Sequence, residues 1–214
     1  MLGEWLVARQ WEWVKKELAD AESERAPSEA EARLEAMAPT VLAILESTLV
    51  VDAVLLRETI VRHLSGACSE RRVSFVLAFL RVAGKRDTRE RLALRPLREL
   101  CGESLAGWLR TPPRPPGDWS IATSLDCACG RCRTLNAFLM APIRKTFEWP
   151  LAKDDRAHIH QIIEGYELPV GHQTRRTGRP YTLVLTKRED LFERDAKRRQ
   201  RWVRDVKWLQ RSKP

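Results

Sequence analysis

The sequence predicts a mainly α protein: an N-terminal helical bundle or short helical-repeat domain, then a small α+β module, then a basic C-terminal helix. Three observations carry this. Apolar residues recur at helical spacing from residue 4 to about 110, four prolines fall within residues 111–118, and three cysteines within six residues precede a helix bearing two histidines. The expected divisions are a helical domain over 1–110, a linker over 111–118, a Cys/His module with a hairpin over 119–188, and a basic helix over 189–214.

Val7, Trp11, Val14 and Leu18 follow one another at steps of four, three and four, which lines one face of a first helix. Ser28-Glu-Ala-Glu31 has the form of a capping box ahead of Leu34, Met37 and Val41, and Pro39 predicts a kink or a fresh helix start. Asp52 is placed to cap a helix through Leu56, Ile60 and Leu64 that stops at Gly66. Ser69 opens another through Val73, Val76, Phe79 and Leu80, ending near Gly84. Asp87-Thr-Arg-Glu90 repeats the capping-box pattern before Leu92, Leu94, Leu97, Leu100, Leu105 and Leu109. Five or six helices with short connections result, and no cluster of titratable groups in 1–110 suggests anything but a scaffold. Cys68 and Cys101, far apart in apolar helical sequence, read as small buried hydrophobes.

Thr111-Pro-Pro-Arg-Pro-Pro-Gly-Asp118 cannot continue a helix and favours a stiff extended spacer. Beyond it, Leu135, Phe138 and Leu139 stand at helical spacing. A helix from about Asp154 to Tyr166 carries His158 and His160 beside Ile159, Ile162 and Ile163. The turn-forming Thr174–Pro180 leads into the β-formers Tyr181–Thr186, a short hairpin. From Glu189 onward the chain reads as a basic helix that docks through Trp202 and Leu209.

The chemistry concentrates in Cys127-Ala-Cys129-Gly-Arg-Cys132 and His158-Ile-His160. Thiolates and an imidazole at knuckle spacing are what a tetrahedral zinc ion takes, so the second module is expected to be a zinc-binding one. Cys129 and Cys132 form a CxxC pair around Gly130, which allows a tight turn. Side chains two apart on a helix point about 200° from each other, so His158 and His160 do not readily share an ion. The set Cys127, Cys129, Cys132 and His158 gives a closed Cys₃His site; His160 or His172 replacing Cys127 gives Cys₂His₂. Four protein ligands leave no position for a substrate water, so no catalytic centre is expected there.

The stretch DCACGRCRTLNAFLMAP, then RAHIHQIIEG, then TRRTGRPYTLVLTK resembles a Cys/His-bearing segment at the C-terminal ends of large fungal and bacterial proteins labelled 2-oxoglutarate/iron(II) oxygenases. The resemblance spans about residues 126–187, through Cys129, Cys132, Leu135, Phe138, Leu139, Arg156, His158, Thr174, Arg176, Gly178, Pro180, Thr182, Leu183, Val184 and Lys187. It favours His158 over His160 as the ligand and implies either the accessory end of such a protein or a stand-alone relative, not the oxygenase itself. None of the four histidines stands in an H-x-D or H-x-E pair that would begin an iron-binding facial triad.

Charge is uneven: residues 1–170 carry 24 basic and 24 acidic side chains, whereas 171–214 carry 14 against 5. An anionic partner would be steered to that end. A nucleic-acid partner would meet Arg175, Arg176, Arg179, Lys187, Arg188, Lys197, Arg198, Arg199, Arg201 and Arg204, with Trp202, Trp208 or Tyr181 available for stacking. A second reading is a protein-interaction adaptor using the tryptophan-rich start, Trp5, Trp11 and Trp13. A third is a metal-dependent nuclease built from His158, His160 and Asp154 or Asp155, although acidic residues at a helix start also serve as caps. The odd count of five cysteines argues against a disulfide framework and for a reducing, cytoplasmic setting. No apolar run reaches the roughly 18 residues of a membrane span.

Overall fold

Helices account for most of the chain, with one small three-stranded sheet. The structure, a computed structural model, describes residues 2–66, 69–84 and 86–212. Contacts divide the chain into two units, Met1–Thr111 with Gln200–Pro214, and Pro112–Arg199.

The first unit contains α1 (Leu2–Ser23), α2 (Pro27–Val50), α3 (Val54–Leu64), α4 (Glu70–Val82), α5 (Arg86–Arg91) and α6 (Arg95–Arg110). Val7, Trp11, Val14 and Leu18 are the buried face of α1, as their spacing requires. They join Leu34, Leu45, Phe75, Phe79, Leu80, Leu97 and Leu105 in one core. Ser69 caps α4, its side chain accepting the Arg72 N–H. Cys101 is fully buried, and burial pushes its thiol up to about 12, which leaves it an inert apolar filler. Cys68 lies outside the described residues.

Several local expectations are overturned. The capping box at Ser28 does not start α2: the helix begins at Pro27, with Ala26 at the N-cap and no side-chain cap. Proline is suited to that first position, because its missing N–H would have had no helical partner. The same helix continues through Pro39. A proline in a helix interior costs about 3 kcal/mol, and the buried run Ala30, Leu34, Ala38, Val41 and Leu45 offsets it. Asp52 does not cap α3 either; it takes a left-handed φ of 51° in the turn, and Ala53 precedes the helix. Asp87 lies within the short α5, which ends before Ala93 at φ 56°, and a separate helix starts at Arg95 with Pro96 in its first turn.

Helix α9 (Asp190–Arg211) begins in the second unit, and its residues from Gln200 belong to the first. There Leu209 is buried, with Trp202, Val206 and Trp208 packed against the same core. The rings of Trp202 and Trp108 lie 5.2 Å apart. Arg98 donates to the carbonyls of Leu209 at 3.0 Å and Ser212 at 2.5 Å, satisfying the end of the helix. Arg81 and Asp205 pair at 2.5 Å. These contacts bear out the docking role expected of Trp202 and Leu209.

The second unit holds α7 (Gly130–Met140), β1 (Thr146–Pro150), α8 (Lys153–Gly165), β2 (Val170–Arg175) and β3 (Thr182–Lys187). The sheet order is β1-β3-β2, both pairings antiparallel. The hairpin of β2 and β3 matches the sequence, whereas β1 was not expected; its alternating Phe147-Glu148-Trp149 is the signal, and it ends at a proline on an edge strand. Leu135, Phe138 and Leu139 of α7, Ile159, Ile162 and Ile163 of α8, and Leu183 and Leu185 of β3 form the core.

Alternation along β3 turns Leu183, Leu185 and then Lys187 inward. Lys187 is therefore 0% exposed and cannot meet phosphate, contrary to expectation. Its ammonium donates to the carbonyls of Leu139 at 2.9 Å and Ala141 at 2.7 Å, where α7 ends, and lies 4.7 Å from the Phe138 ring centre. A cation there complements the negative end of the helix dipole.

Burial pulls the Lys187 amine down to about 8. An unfolded lysine keeps its proton to about 10.4, so between those values the unfolded chain binds more protons and stability rises with pH. Lys187→Met is expected to destabilise the unit by about 1–3 kcal/mol, because two carbonyls lose their donor. The difference between wild-type and variant urea-unfolding free energies, followed from pH 7.5 to 10.5, should widen with pH. A flat difference would contradict this role for the lysine.

Candidate metal centre

The turn into α7 organises the cysteines. Cys129 is the N-cap in extended conformation, and its sulfur accepts the Cys132 N–H at 3.4 Å, as a cap side chain does. Gly130 is not what makes the turn possible. A Cβ there would meet only the Arg133 side chain, at 3.9 Å, so the cap geometry of Cys129 shapes the knuckle. Cys132, one turn into the helix, points into the core.

Helix α8 brings the fourth side chain. Its apolar stripe Ile159, Ile162 and Ile163 packs in the core that contains Cys132 and Leu135, and this sets His158 toward the start of α7. His158 Nε2 stands 3.7 Å from Cys127 Sγ, 3.5 Å from Cys129 Sγ and 3.2 Å from Cys132 Sγ. Two further contacts brace the arrangement. Arg131 of α7 pairs with Asp155 of α8 at 2.8 Å, and the Asp126 N–H donates to the Tyr166 hydroxyl at 2.9 Å, fixing the loop just before Cys127.

These four side chains could hold a metal ion. Cys132 is buried, Cys127 and His158 are half-buried and Cys129 is exposed, so the cluster lies at the edge of the core. The thiols differ in acidity. The Cys132 N–H, followed by its neighbours' side-chain hydrogen bonds, pulls Cys129 down to about 6, whereas burial and the adjacent thiols push Cys132 up to about 12. Crowded sulfurs of opposed protonation are a poor resting state, and a divalent cation would stabilise all of them as thiolates.

His160 and His172, the alternative ligands, lie in a different place. They meet each other, with ring centres 4.3 Å apart, near Glu164. Burial and then His172 lower the His160 pKa, favouring the neutral ring. The nuclease grouping is consequently split: His158 belongs to the cysteines, His160 faces away, and Asp155 is engaged by Arg131. Glu164 was not singled out from the sequence, although its spacing of four from His160 puts both on one helix face.

The basic residues fall into two sets. Arg175 pairs with Glu148, Arg188 with Asp190, Lys197 with Glu193, Arg198 with Asp195, and Arg201 with Glu31 and Glu70. Arg199 also has interactions within the protein. Arg176 and Arg179 at the hairpin turn, and Arg204 on α9, are exposed and enter no ion pair among the described residues. Of the rings considered for stacking, Trp202 is engaged with Trp108, and Tyr181 lies 5.3 Å from the Arg156 guanidinium. Trp11 is 2% exposed and belongs to the core, so it is unavailable to a partner, whereas Trp5 and Trp13 are exposed. No helix among the described residues is long and apolar enough to cross a membrane.

No protein-family model matches the chain, and no curated protein or solved structure is significantly similar to it, so the reading of this centre rests on its geometry.

Proposed function

We propose that Pro112–Arg199 is a zinc-stapled, non-catalytic binding module and that the chain engages an anionic partner, nucleic acid, through basic residues on and after its hairpin. The observation that carries the zinc assignment is the set of S···N separations. A tetrahedral zinc about 2.3 Å from each sulfur and about 2.0–2.1 Å from nitrogen gives S···N edges of about 3.6 Å. The separations of 3.7, 3.5 and 3.2 Å need only tenths of an ångström of adjustment. Three thiolates also favour zinc over the hard cations, which take oxygen ligands. With four protein ligands the ion is structural, and its binding energy adds to the folding energy of a small unit.

For the partner, the support is the excess of 14 basic over 5 acidic side chains in 171–214 and the exposure of Arg176 and Arg179 on the hairpin turn. Lys197, exposed and only loosely paired with Glu193, is a further cation of the same unit. A competing reading, a protein-interaction adaptor, draws on α1, where Leu2, Trp5, Leu6 and Trp13 are all exposed.

Purified protein is expected to hold one zinc in the cysteine cluster. A chelator, or His158→Ala, should lower the melting temperature of the second unit by on the order of 10 °C or more; melting indifferent to both would refute the assignment. Nucleic-acid affinity should fall steeply with salt. Replacing Arg176 and Arg179 together by alanine should flatten the log–log salt slope by about 2. Binding that ignores salt would remove this partner. Co-purification of a protein lost on Trp5→Ala with Trp13→Ala would favour the adaptor instead.

A further inference from the structure

We propose that His160, Glu164 and His172 form a second divalent transition-metal site, separate from the cysteine cluster and open on one side. His160 and Glu164 stand one helical turn apart on α8, and His172 comes from β2. One ligand atom from each lies within 4.8 Å of the other two. His172 Nε2 is 3.6 Å from a Glu164 carboxylate oxygen, beyond an ordinary hydrogen bond. Two ligands about 2.0–2.2 Å from a tetrahedral ion sit about 3.4 Å apart, so this separation matches a shared cation better than a direct contact.

The state of His172 points the same way. Its Nδ1 is buried without a hydrogen-bond partner, so among the described residues neither ring nitrogen makes a hydrogen bond of ordinary length. Nε2, the nitrogen 3.6 Å from the Glu164 carboxylate, is thus uncommitted, and an uncommitted imidazole nitrogen is what a borderline metal takes.

The chemistry differs from that of the first site. Two imidazoles and a carboxylate, with no sulfur, suit zinc, iron(II), cobalt(II) or nickel(II), and three protein ligands leave at least one coordination position. Glu164 and His172 line a cleft of about 430 Å³ with Leu168, Arg188 and Arg194. The cleft beside these two ligands is large enough for water or a small anion. The site breaks the H-x-D/E sequence rule because its carboxylate lies one turn along the helix and its second histidine on a strand.

Metal-free chain reconstituted with excess cobalt(II) and desalted tests this. Two cobalt ions per chain are expected, with sulfur-to-cobalt charge-transfer absorption saturating at the first equivalent and only weak ligand-field bands from the second. Glu164→Gln, at a side chain 68% exposed and so tolerant of change, and His172→Ala should each reduce the content to one while leaving the sulfur absorption intact. A single cobalt in the wild type, or two in both variants, would overturn the proposal. Loss of the sulfur absorption alone would indict the cysteine site and not this one.

Discussion

In the second unit three sulfurs meet His158 where α7 begins, and together they could hold a metal ion. The core beneath it is modest, built from two short helices and one face of a three-stranded sheet. Units of this size bury a smaller share of their surface than large domains and commonly need a staple. An ion at the cluster would join the loop carrying Cys127, the first turn of α7 and the middle of α8. The Arg131–Asp155 pair and the Asp126–Tyr166 hydrogen bond reinforce the same three segments, but as partly exposed polar contacts each adds little on its own.

Helix α7 is held at both ends by charge of the sign its dipole favours. Thiolate character gathers at its N-terminus, where the Cys129 sulfur accepts the Cys132 N–H, and the Lys187 ammonium lies at its C-terminus against the carbonyls of Leu139 and Ala141. A buried lysine is costly to keep charged, and its place is set by strand register rather than by preference. The cysteine cluster and the sheet are thus linked through one helix of eleven residues.

Much of this was legible in the sequence where a local pattern decides the outcome. The buried face of α1, the Ser69 cap and the cysteine knuckle were written in spacing alone. Failures came where two local signals competed. Ser28 lost to the adjacent Pro27, and Asp87 lost to Pro96, which marks the true start of α6. Pro39 yielded to the packing of a whole helix face. Other features lie beyond any local pattern: alternation along β3 turns Lys187 inward, but only the end of α7 gives its ammonium two carbonyls, and His172 of β2 meets His160 and Glu164 of α8 only in the folded unit. Pairing of basic residues with Glu148, Asp190, Asp195 and Glu31 leaves few exposed cations of the basic stretch outside ion pairs among the described residues.

The central claim is that one zinc ion sits among these four side chains. X-ray absorption at the zinc edge on purified protein tests it most directly. The account predicts a dominant shell of three sulfurs at about 2.3 Å with one nitrogen at about 2.0–2.1 Å. A zinc shell made only of nitrogen and oxygen, or protein that takes up no zinc while its cysteines remain reduced, would contradict it.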